Sequence, residues 1–201
     1  MPDPGERSRR LHGSGRVEVL TVGVKWHRKG IDRAVNIVDA LGSHGLDVHL
    51  NVVGTQPPDT TWHRRNVTYH GHLRKDRREG RDRLSDLYAS ADLFLLPTRN
   101  EPFGIVFQEA AAYALPSVTS SVGGVPEVVQ NGVTGVTLVE EATIDDYVRA
   151  VRSVLEPDVY EVMSASARRR YEAEFTWKAC ARKVVQACEV VLKPSRPGAG
   201  L

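Results

Sequence analysis

Short apolar segments that alternate with longer helical segments are the feature of this sequence that most restricts its fold. The segment at 16–23 is a compact apolar strand that ends in a glycine. After it, apolar residues recur three and four positions apart between residues 31 and 41, which is the period of a helix with one buried face. Further strands are predicted at 47–54, 66–71, 92–97, 117–120 and 135–139, and further helices at about 82–90, after Pro102, and at 143–155, 158–173 and 176–192.

This alternation predicts an α/β fold with a doubly wound, Rossmann-like parallel sheet of about six strands, helices on both faces and C-terminal helices. In such a sheet the ligand binds outside the carboxyl ends of the strands, near a switch in strand order. Gly23, Gly54, Gly71 and the loop at 98–104 each follow a predicted strand. We therefore expect them to meet at one edge of the sheet.

The segment at 98–127, TRNEPFGIVFQEAAAYALPSVTSSVGGVPE, carries chemistry that suits this edge. Glu101 and Glu109 bracket a predicted helix start, which opens with Phe103 and Gly104. The free N–H groups and the dipole of a helix start favour phosphate, whereas carboxylates accept hydrogen bonds from hydroxyl diols. A phosphate flanked by two sets of hydroxyls describes a nucleotide sugar, so the segment predicts a site for that class of ligand.

The same segment resembles the donor-binding signature of retaining glycosyltransferases of the GT-B fold, in particular glycosyltransferase family 4 (glycosyl transferases group 1). That family carries a glutamate, seven intervening residues, a second glutamate and then a Gly-Gly loop, which here are Glu101, Glu109 and Gly123-Gly124. A lone pair of glutamates is a weak signal, but the resemblance spans roughly residues 16 to 192 through several motifs in the expected order. The other motifs are GVKWHRKGIDRAV at 23–35, the glycine at 54, YHG at 69–71, DLYASADLFLLPT at 86–98, NGVTGV at 131–136 and FTWKACARKVV at 175–185.

The resemblance implies a role for each residue of the site, with Glu101 and Lys29 as the catalytic pair. Glu101 contacts hydroxyls of the donor sugar, Lys29 with its neighbour Arg28 faces the diphosphate, and Glu109 accepts hydrogen bonds from the ribose diol. The other donor-binding residues that it implies are Gly23, Lys25, Leu73 beside the nucleobase, and Phe103, Gly104, Ile105 and Val106 through their backbone N–H groups. We also expect the side chains of Ile105 and Val106 to lie in the core.

Two positions leave alternatives open. Many members of the family place an arginine directly after the glycine equivalent to Gly23, whereas this chain has Val24 there and Lys25 next. Either Lys25 supplies that positive charge, or the site is weaker. The Gly123-Gly124 pair either allows a close backbone approach to the donor or forms a plain tight turn.

No metal ion or other cofactor is expected. The sequence contains no Asp-x-Asp pair, so basic side chains and a helix dipole are expected to stabilise the leaving diphosphate. The His70-Gly71-His72 segment has no cluster of Cys or carboxylate ligands beside it, which argues against a zinc site. The resemblance likewise implies a metal-independent transfer.

The composition is that of a soluble globular protein. Its 201 residues fit one domain, and 41% apolar and 26% charged residues are typical of globular proteins. A net charge of +2 is too small to indicate a nucleic-acid partner. No apolar run approaches the roughly 20 residues of a membrane span, and the first residues lack the apolar core of a signal peptide. We expect a cytoplasmic domain that binds a UDP-, GDP- or ADP-linked sugar.

A complete GT-B enzyme has two such domains, and only the C-terminal, donor-binding one is recognisable here. We expect a flexible tail or linker at 1–15, the donor-binding domain at 16–193 and a flexible tail at 194–201. The N-terminal acceptor domain is then absent, and the chain is a truncated domain or one half of a split enzyme whose partner acts in trans.

The expected function is the donor-binding half of a retaining hexosyltransferase. A non-catalytic nucleotide-sugar-binding module, or a truncated remnant that binds little, is the alternative. A sugar-nucleotide epimerase or a phosphorylase of the same architecture is a third possibility, but either needs a longer chain.

Overall fold

A six-stranded parallel sheet runs through the centre of the molecule in the computed structural model, which describes residues 15–192. The predicted tails at 1–15 and 194–201 lie outside the described residues, apart from residue 15. The strands follow the order β3-β2-β1-β4-β5-β6, and every neighbouring pair is parallel. Their bounds are β1 (Arg16–Val22), β2 (Asp47–Val53), β3 (Val67–Gly71), β4 (Leu93–Leu96), β5 (Ser117–Ser120) and β6 (Gly135–Leu138). The doubly wound fold expected from the sequence is confirmed.

Seven α-helices are found within the described residues. The predicted helix at about 82–90 begins four residues earlier, because its first turn is polar and shows no apolar period. The helix at 125–128 was not predicted, because its four residues are too few to show a period. The helices are α1 (Ile31–Ser43), α2 (Arg78–Ser90), α3 (Ile105–Ala112), α4 (Val125–Val128), α5 (Ile144–Val154), α6 (Pro157–Arg170) and α7 (Trp177–Leu192).

The sheet is covered on both faces, as the uninterrupted apolar sequence of β4 requires. On one face, α1, α5 and α6 pack in a single apolar cluster that includes Val35 and Tyr147. On the other, α2, α3 and α4 form a second cluster around Tyr88, Phe94 and Phe107. The strands β1, β2 and β4 therefore contribute side chains to two separate cores.

The position for a ligand follows from this topology. β1 and β4 are neighbours, but the chain leaves β1 toward α1 on one face and leaves β4 toward α3 on the other. The loops that follow them, at 23–30 and 97–104, therefore diverge at the switch in strand order, where α/β sheets bind ligands. The glycines after β1 and β2 lie at the same edge, where Gly23 N–H donates to the Val53 carbonyl over 2.8 Å and Gly54 N–H to the Gly71 carbonyl over 2.7 Å.

Gly30 allows these two loops to touch. It precedes α1 in the left-handed region with φ of 67°, and a Cβ atom there would lie 1.9 Å from the Pro97 carbonyl oxygen. A side chain at position 30 is therefore excluded both by backbone conformation and by space.

We predict that Gly30→Ala lowers the free energy of unfolding by about 3 kcal/mol or more, because it combines left-handed strain with a backbone clash. Gly42→Ala is the matched control, since it lies inside α1 with nothing within 4 Å of an added Cβ. That control is expected to be neutral or to stabilise by roughly 0.5–1 kcal/mol. Urea unfolding of the two variants measures the difference, and equal midpoints would contradict the close approach of the loops.

Candidate functional site

Hydrogen bonds join the loop after β1 and the start of α1 to the loop after β4. Arg99 donates through its two terminal nitrogens to the two carboxylate oxygens of Asp32, over 2.8 Å each. Thr98 Oγ1 donates to the Arg28 carbonyl over 3.0 Å, and Arg99 N–H donates to the same carbonyl over 2.9 Å. These contacts fix the backbone that carries Lys29 relative to the backbone that carries Glu101.

Lys29 and Glu101 form a buried ion pair at this junction. The Lys29 ammonium donates to Glu101 Oε2, and the two side chains are only 11% and 8% exposed. Gly23 makes room for the lysine, because a Cβ atom there would lie 2.8 Å from Lys29 Cγ. The other carboxylate oxygen, Oε1, accepts the N–H of Gly104 over 3.1 Å. The two residues expected to be catalytic are thus brought into direct contact.

Glu101 remains ionised in this environment. Burial by itself raises the pKa of the Glu101 carboxyl, but the hydrogen bond and charge of Lys29 and the N–H groups of Gly104 and Phe103 outweigh it, so the pKa lies below its ordinary value. A carboxylate held in this way is a hydrogen-bond acceptor at neutral pH.

The Gly123-Gly124 pair packs against the backbone of Glu101. Gly124 N–H donates to the Glu101 carbonyl over 2.8 Å. A Cβ atom at Gly123 would lie 2.3 Å from the same oxygen, and φ there is 53°. The close approach that these glycines allow is therefore an approach to the Glu101 backbone.

The start of α3 presents backbone N–H groups at the same edge. Gly104 precedes the helix with φ of 69° and no side chain caps it. Phe107 N–H donates to the Gly104 carbonyl over 2.9 Å, so the N–H groups of Ile105 and Val106 precede the first helical hydrogen bond. Val106 is half-buried and packs on the core as expected, but the expectation of a core side chain at Ile105 is wrong: it is 61% exposed. Phe103 is also exposed, at 76%.

Glu109, one helical turn further on, has partners of its own. Its Oε1 accepts from the Lys75 ammonium, and its Oε2 accepts from the Tyr88 hydroxyl over 3.0 Å. Burial, and then the negative charge of Glu109, raise the pKa of Tyr88 well above its usual value. The tyrosine therefore stays a neutral hydrogen-bond donor that fixes one oxygen of the carboxylate.

Two cavities meet beside these residues. A cleft of about 400 Å³ is lined by five predicted donor-binding residues, namely Gly23, Arg28, Lys29, Leu73 and Val106. A second cavity of about 480 Å³ is lined by Ile105 and Glu109. Lys75 lines both. Lys25 is exposed and lines neither, and only its carbonyl, which accepts Lys29 N–H over 2.8 Å, contributes to the loop.

Sequence reasoning missed Lys75 and Tyr88. Lys75 belongs to a charged stretch at 74–83 that is typical of a solvated loop, so charge alone does not single it out. Tyr88 lies on the buried face of α2, where an aromatic residue is expected for packing alone. Within residues 15–192, no group of His, Cys, Asp or Glu side chains is arranged to hold a metal ion. None of the helices in that range is both long enough and apolar enough to cross a membrane.

A Rossmann-like domain with its ligand edge at the β1–β4 switch point is the architecture of the C-terminal domain of GT-B glycosyltransferases. A family model for glycosyl transferases group 1 matches residues 16–157, so the chain belongs to that family. The resemblance noted in the sequence is thereby confirmed.

Known proteins show the same relationship. Glycogen synthase of Mycobacterium tuberculosis is 33% identical over 177 residues, which cover 86% of this chain and 42% of that protein. Among solved structures, WaaG, a glycosyltransferase involved in lipopolysaccharide biosynthesis, matches 96% of this chain and 52% of its own with a TM-score of 0.72 and 24% identity. HepE from Anabaena, solved in complex with UDP and glucose, matches 94% of this chain and 53% of its own with a TM-score of 0.71 and 19% identity. The chain thus spans about half the length of these proteins, or less.

The buried pair leads to a prediction about pH. Because the folded-state pKa of Glu101 is below its ordinary value of 4.5, the unfolded chain binds the proton first as the pH falls. The stabilisation by the ionised carboxyl is therefore fully present above pH 4.5 and is lost as the pH falls further, toward the lowered folded-state pKa.

We expect wild type to be more stable than Glu101→Gln at pH 7 by about 3 kcal/mol, since the glutamine leaves a buried ammonium without its counter-charge. The gap should shrink as the pH falls below 4.5. Urea unfolding of both proteins between pH 7 and pH 3.5, roughly one unit below the reference value, measures it. A gap that stays constant over this range would mean that Glu101 is not stabilised as an anion.

Proposed function

We propose that this domain binds the nucleoside-diphosphate sugar of a retaining glycosyltransferase. The observation that supports this most is the buried Lys29–Glu101 pair beside the open start of α3, at the switch point of a parallel sheet. A cation, backbone N–H groups and a carboxylate in one place match a ligand with a diphosphate next to sugar hydroxyls. The name of the mycobacterial relative supports hexosyl transfer, and HepE with its bound UDP supports a nucleotide ligand.

In this proposal the diphosphate lies over the start of α3. Lys29, Arg28 and the N–H groups of Ile105 and Val106 bind its oxygens, and the sugar hydroxyls bind Glu101. The ribose diol binds Glu109. Leu73 is half-buried and lines the cleft of about 400 Å³, here called the nucleotide cleft, and in this proposal it contacts the nucleobase.

The proposed reaction breaks the bond between the anomeric carbon and the diphosphate oxygen, and the diphosphate leaves with the electron pair. The acceptor oxygen forms a bond to the same face of that carbon and loses its proton. Stabilisation of the leaving charge by Lys29 and by the helix dipole is the main contribution that this domain makes. No metal ion is required in this scheme.

We further propose that the acceptor is bound by a second domain, in trans or elsewhere in a longer protein. The chain spans 42% and 52% of two proteins that it matches. The last helix, α7, has apolar side chains in solvent: Trp177 is 91% exposed, Val184 63% and Val185 56%. Such a face is typical of a contact with another folded unit, and we assign it to the acceptor domain.

A nucleotide-sugar-binding module without catalysis is the second candidate. It is favoured by the position of Lys25, which is exposed outside both cavities and so adds no charge to the nucleotide cleft. The two candidates share the binding step and differ in whether sugar is transferred once an acceptor domain is present.

Calorimetric titration of the chain with UDP, GDP and ADP, and then with their sugar conjugates, tests the binding step. We expect one nucleotide to bind with a dissociation constant between micromolar and millimolar. Glu109→Ala and Lys29→Met should each weaken that binding by about tenfold or more, because each removes a charge-assisted contact. Glu161→Ala, at an exposed glutamate of α6, is the matched control and should bind like wild type. Absence of binding to all three nucleotides would overturn the proposed function.

A second titration tests whether the diphosphate needs a metal ion. We expect the same dissociation constant in EDTA and in millimolar Mg²⁺, because Lys29, Arg28 and the start of α3 supply the positive charge. Binding that appears only with the added cation would show that these groups are insufficient.

A further inference from the structure

Two lysines that line the nucleotide cleft, Lys29 and Lys75, each pair with a glutamate, and the two pairs differ in their exposure to solvent. Lys29 and Glu101 are buried, with side chains 11% and 8% exposed. Lys75 and Glu109 lie at the rim, with side chains 55% and 29% exposed. Lys75 belongs to the loop between β3 and α2, and it lines both the nucleotide cleft and the cavity beside Glu109. The Lys75 ammonium thus contacts Glu109, while the same side chain lines the cleft that Lys29 also lines.

The pairing at the rim conflicts with the proposed role of Glu109. Tyr88 occupies Oε2 of this carboxylate and Lys75 occupies Oε1. A ribose diol that approaches Glu109 therefore competes with these two donors for the same carboxylate. Tyr88 is fixed in the core with 2% of its surface exposed, whereas Lys75 is mostly exposed on a flexible side chain. An exposed ion pair contributes little to stability, so Lys75 is the partner that leaves.

A displaced ammonium needs a new partner, and the ligand supplies one. Each of the two carboxylates is neutralised by one lysine. A nucleoside diphosphate offers hydroxyl donors to Glu109 and anionic oxygens to a cation, so one ligand satisfies both members of the rim pair after they separate. The nucleotide cleft that Lys75 already lines also contains Lys29 and Arg28, which are the cations proposed to bind the diphosphate.

We propose that Lys75 is a diphosphate-binding residue that is paired with Glu109 until the ribose displaces it. This inference rests on the proposed function and adds a cation to its binding site. In the bound complex, Glu109 then binds the ribose and Lys75 binds the diphosphate.

The test compares a nucleoside diphosphate with its nucleoside, for example UDP with uridine if UDP is the nucleotide that binds. Lys75→Met should weaken UDP binding about tenfold, because a charge-assisted contact is lost. The same variant should bind uridine more tightly than wild type does, because the ribose no longer competes with an ammonium for Glu109. Calorimetry measures UDP, and NMR chemical-shift titration measures the weaker nucleoside.

Two variants serve as controls. Lys75→Arg keeps the charge and should keep the affinity for UDP. Lys183→Met removes an exposed lysine whose Nζ lies 3.8 Å from Glu174, on α7 and away from the cleft, and it should change neither affinity. Thermal unfolding of each variant is recorded to show that it is folded.

The outcomes separate this inference from the proposed function. If Lys29→Met weakens UDP binding but Lys75→Met does not, the function stands and the role of Lys75 is refuted. Parallel losses for UDP and uridine in Lys75→Met would show a merely structural role and also refute it. If wild type binds no nucleoside diphosphate at all, both proposals fall. Opposite changes for the two ligands support the inference.

Discussion

The buried contact between Lys29 and Glu101 is the interaction on which the rest of this edge depends. Two charges with side chains about one-tenth exposed carry a large desolvation cost, which only close pairing and further hydrogen bonds offset. The loops meet closely enough because the chain has glycine wherever a Cβ atom would intervene. Gly23 leaves space for the lysine, Gly30 for Pro97 and Gly123 for the backbone of Glu101. Fold and site are therefore specified by the same few residues.

The charges at that edge neutralise one another in lysine–glutamate pairs. Both carboxylates have a lysine partner. A ligand that draws a lysine away from its carboxylate must therefore also donate hydrogen bonds to that carboxylate. A simple anion would leave the carboxylates unpaired, and a simple polyol would leave the lysines unpaired. Under the proposed function, a ligand with alternating hydroxyls and phosphates is favoured because it pairs with both the carboxylates and the lysines. A ligand with only one kind of group binds less tightly, because it leaves charged side chains without a partner.

The sequence predicted the sheet and the edge because both depend on local signals: apolar strands, a period of three and four, and a glycine at the end of each of the first three strands. Glu101 and Lys29 come together at that edge because they lie on loops that follow neighbouring parallel strands. The sequence did not predict Ile105 in solvent, since exposure depends on how the left-handed Gly104 orients the first turn of α3. Nor did it single out Lys75, whose partner Glu109 is 34 positions away and is brought near only by the packing of α2 against α3.

Under the proposed function, the exposure of the cleft gives a physical reason why this domain would bind a ligand without transferring its sugar. The rim pair and the first residues of α3 are exposed to water, and water weakens the interaction of any cation with a diphosphate. A domain with such an exposed cleft would hold a ligand through several modest contacts. Stabilising the charge that develops on a leaving diphosphate takes an environment from which water is excluded. In the proposed enzyme the second domain supplies that exclusion as well as the acceptor, so the preorganised Lys29–Glu101 pair becomes catalytically effective only when the cleft is covered.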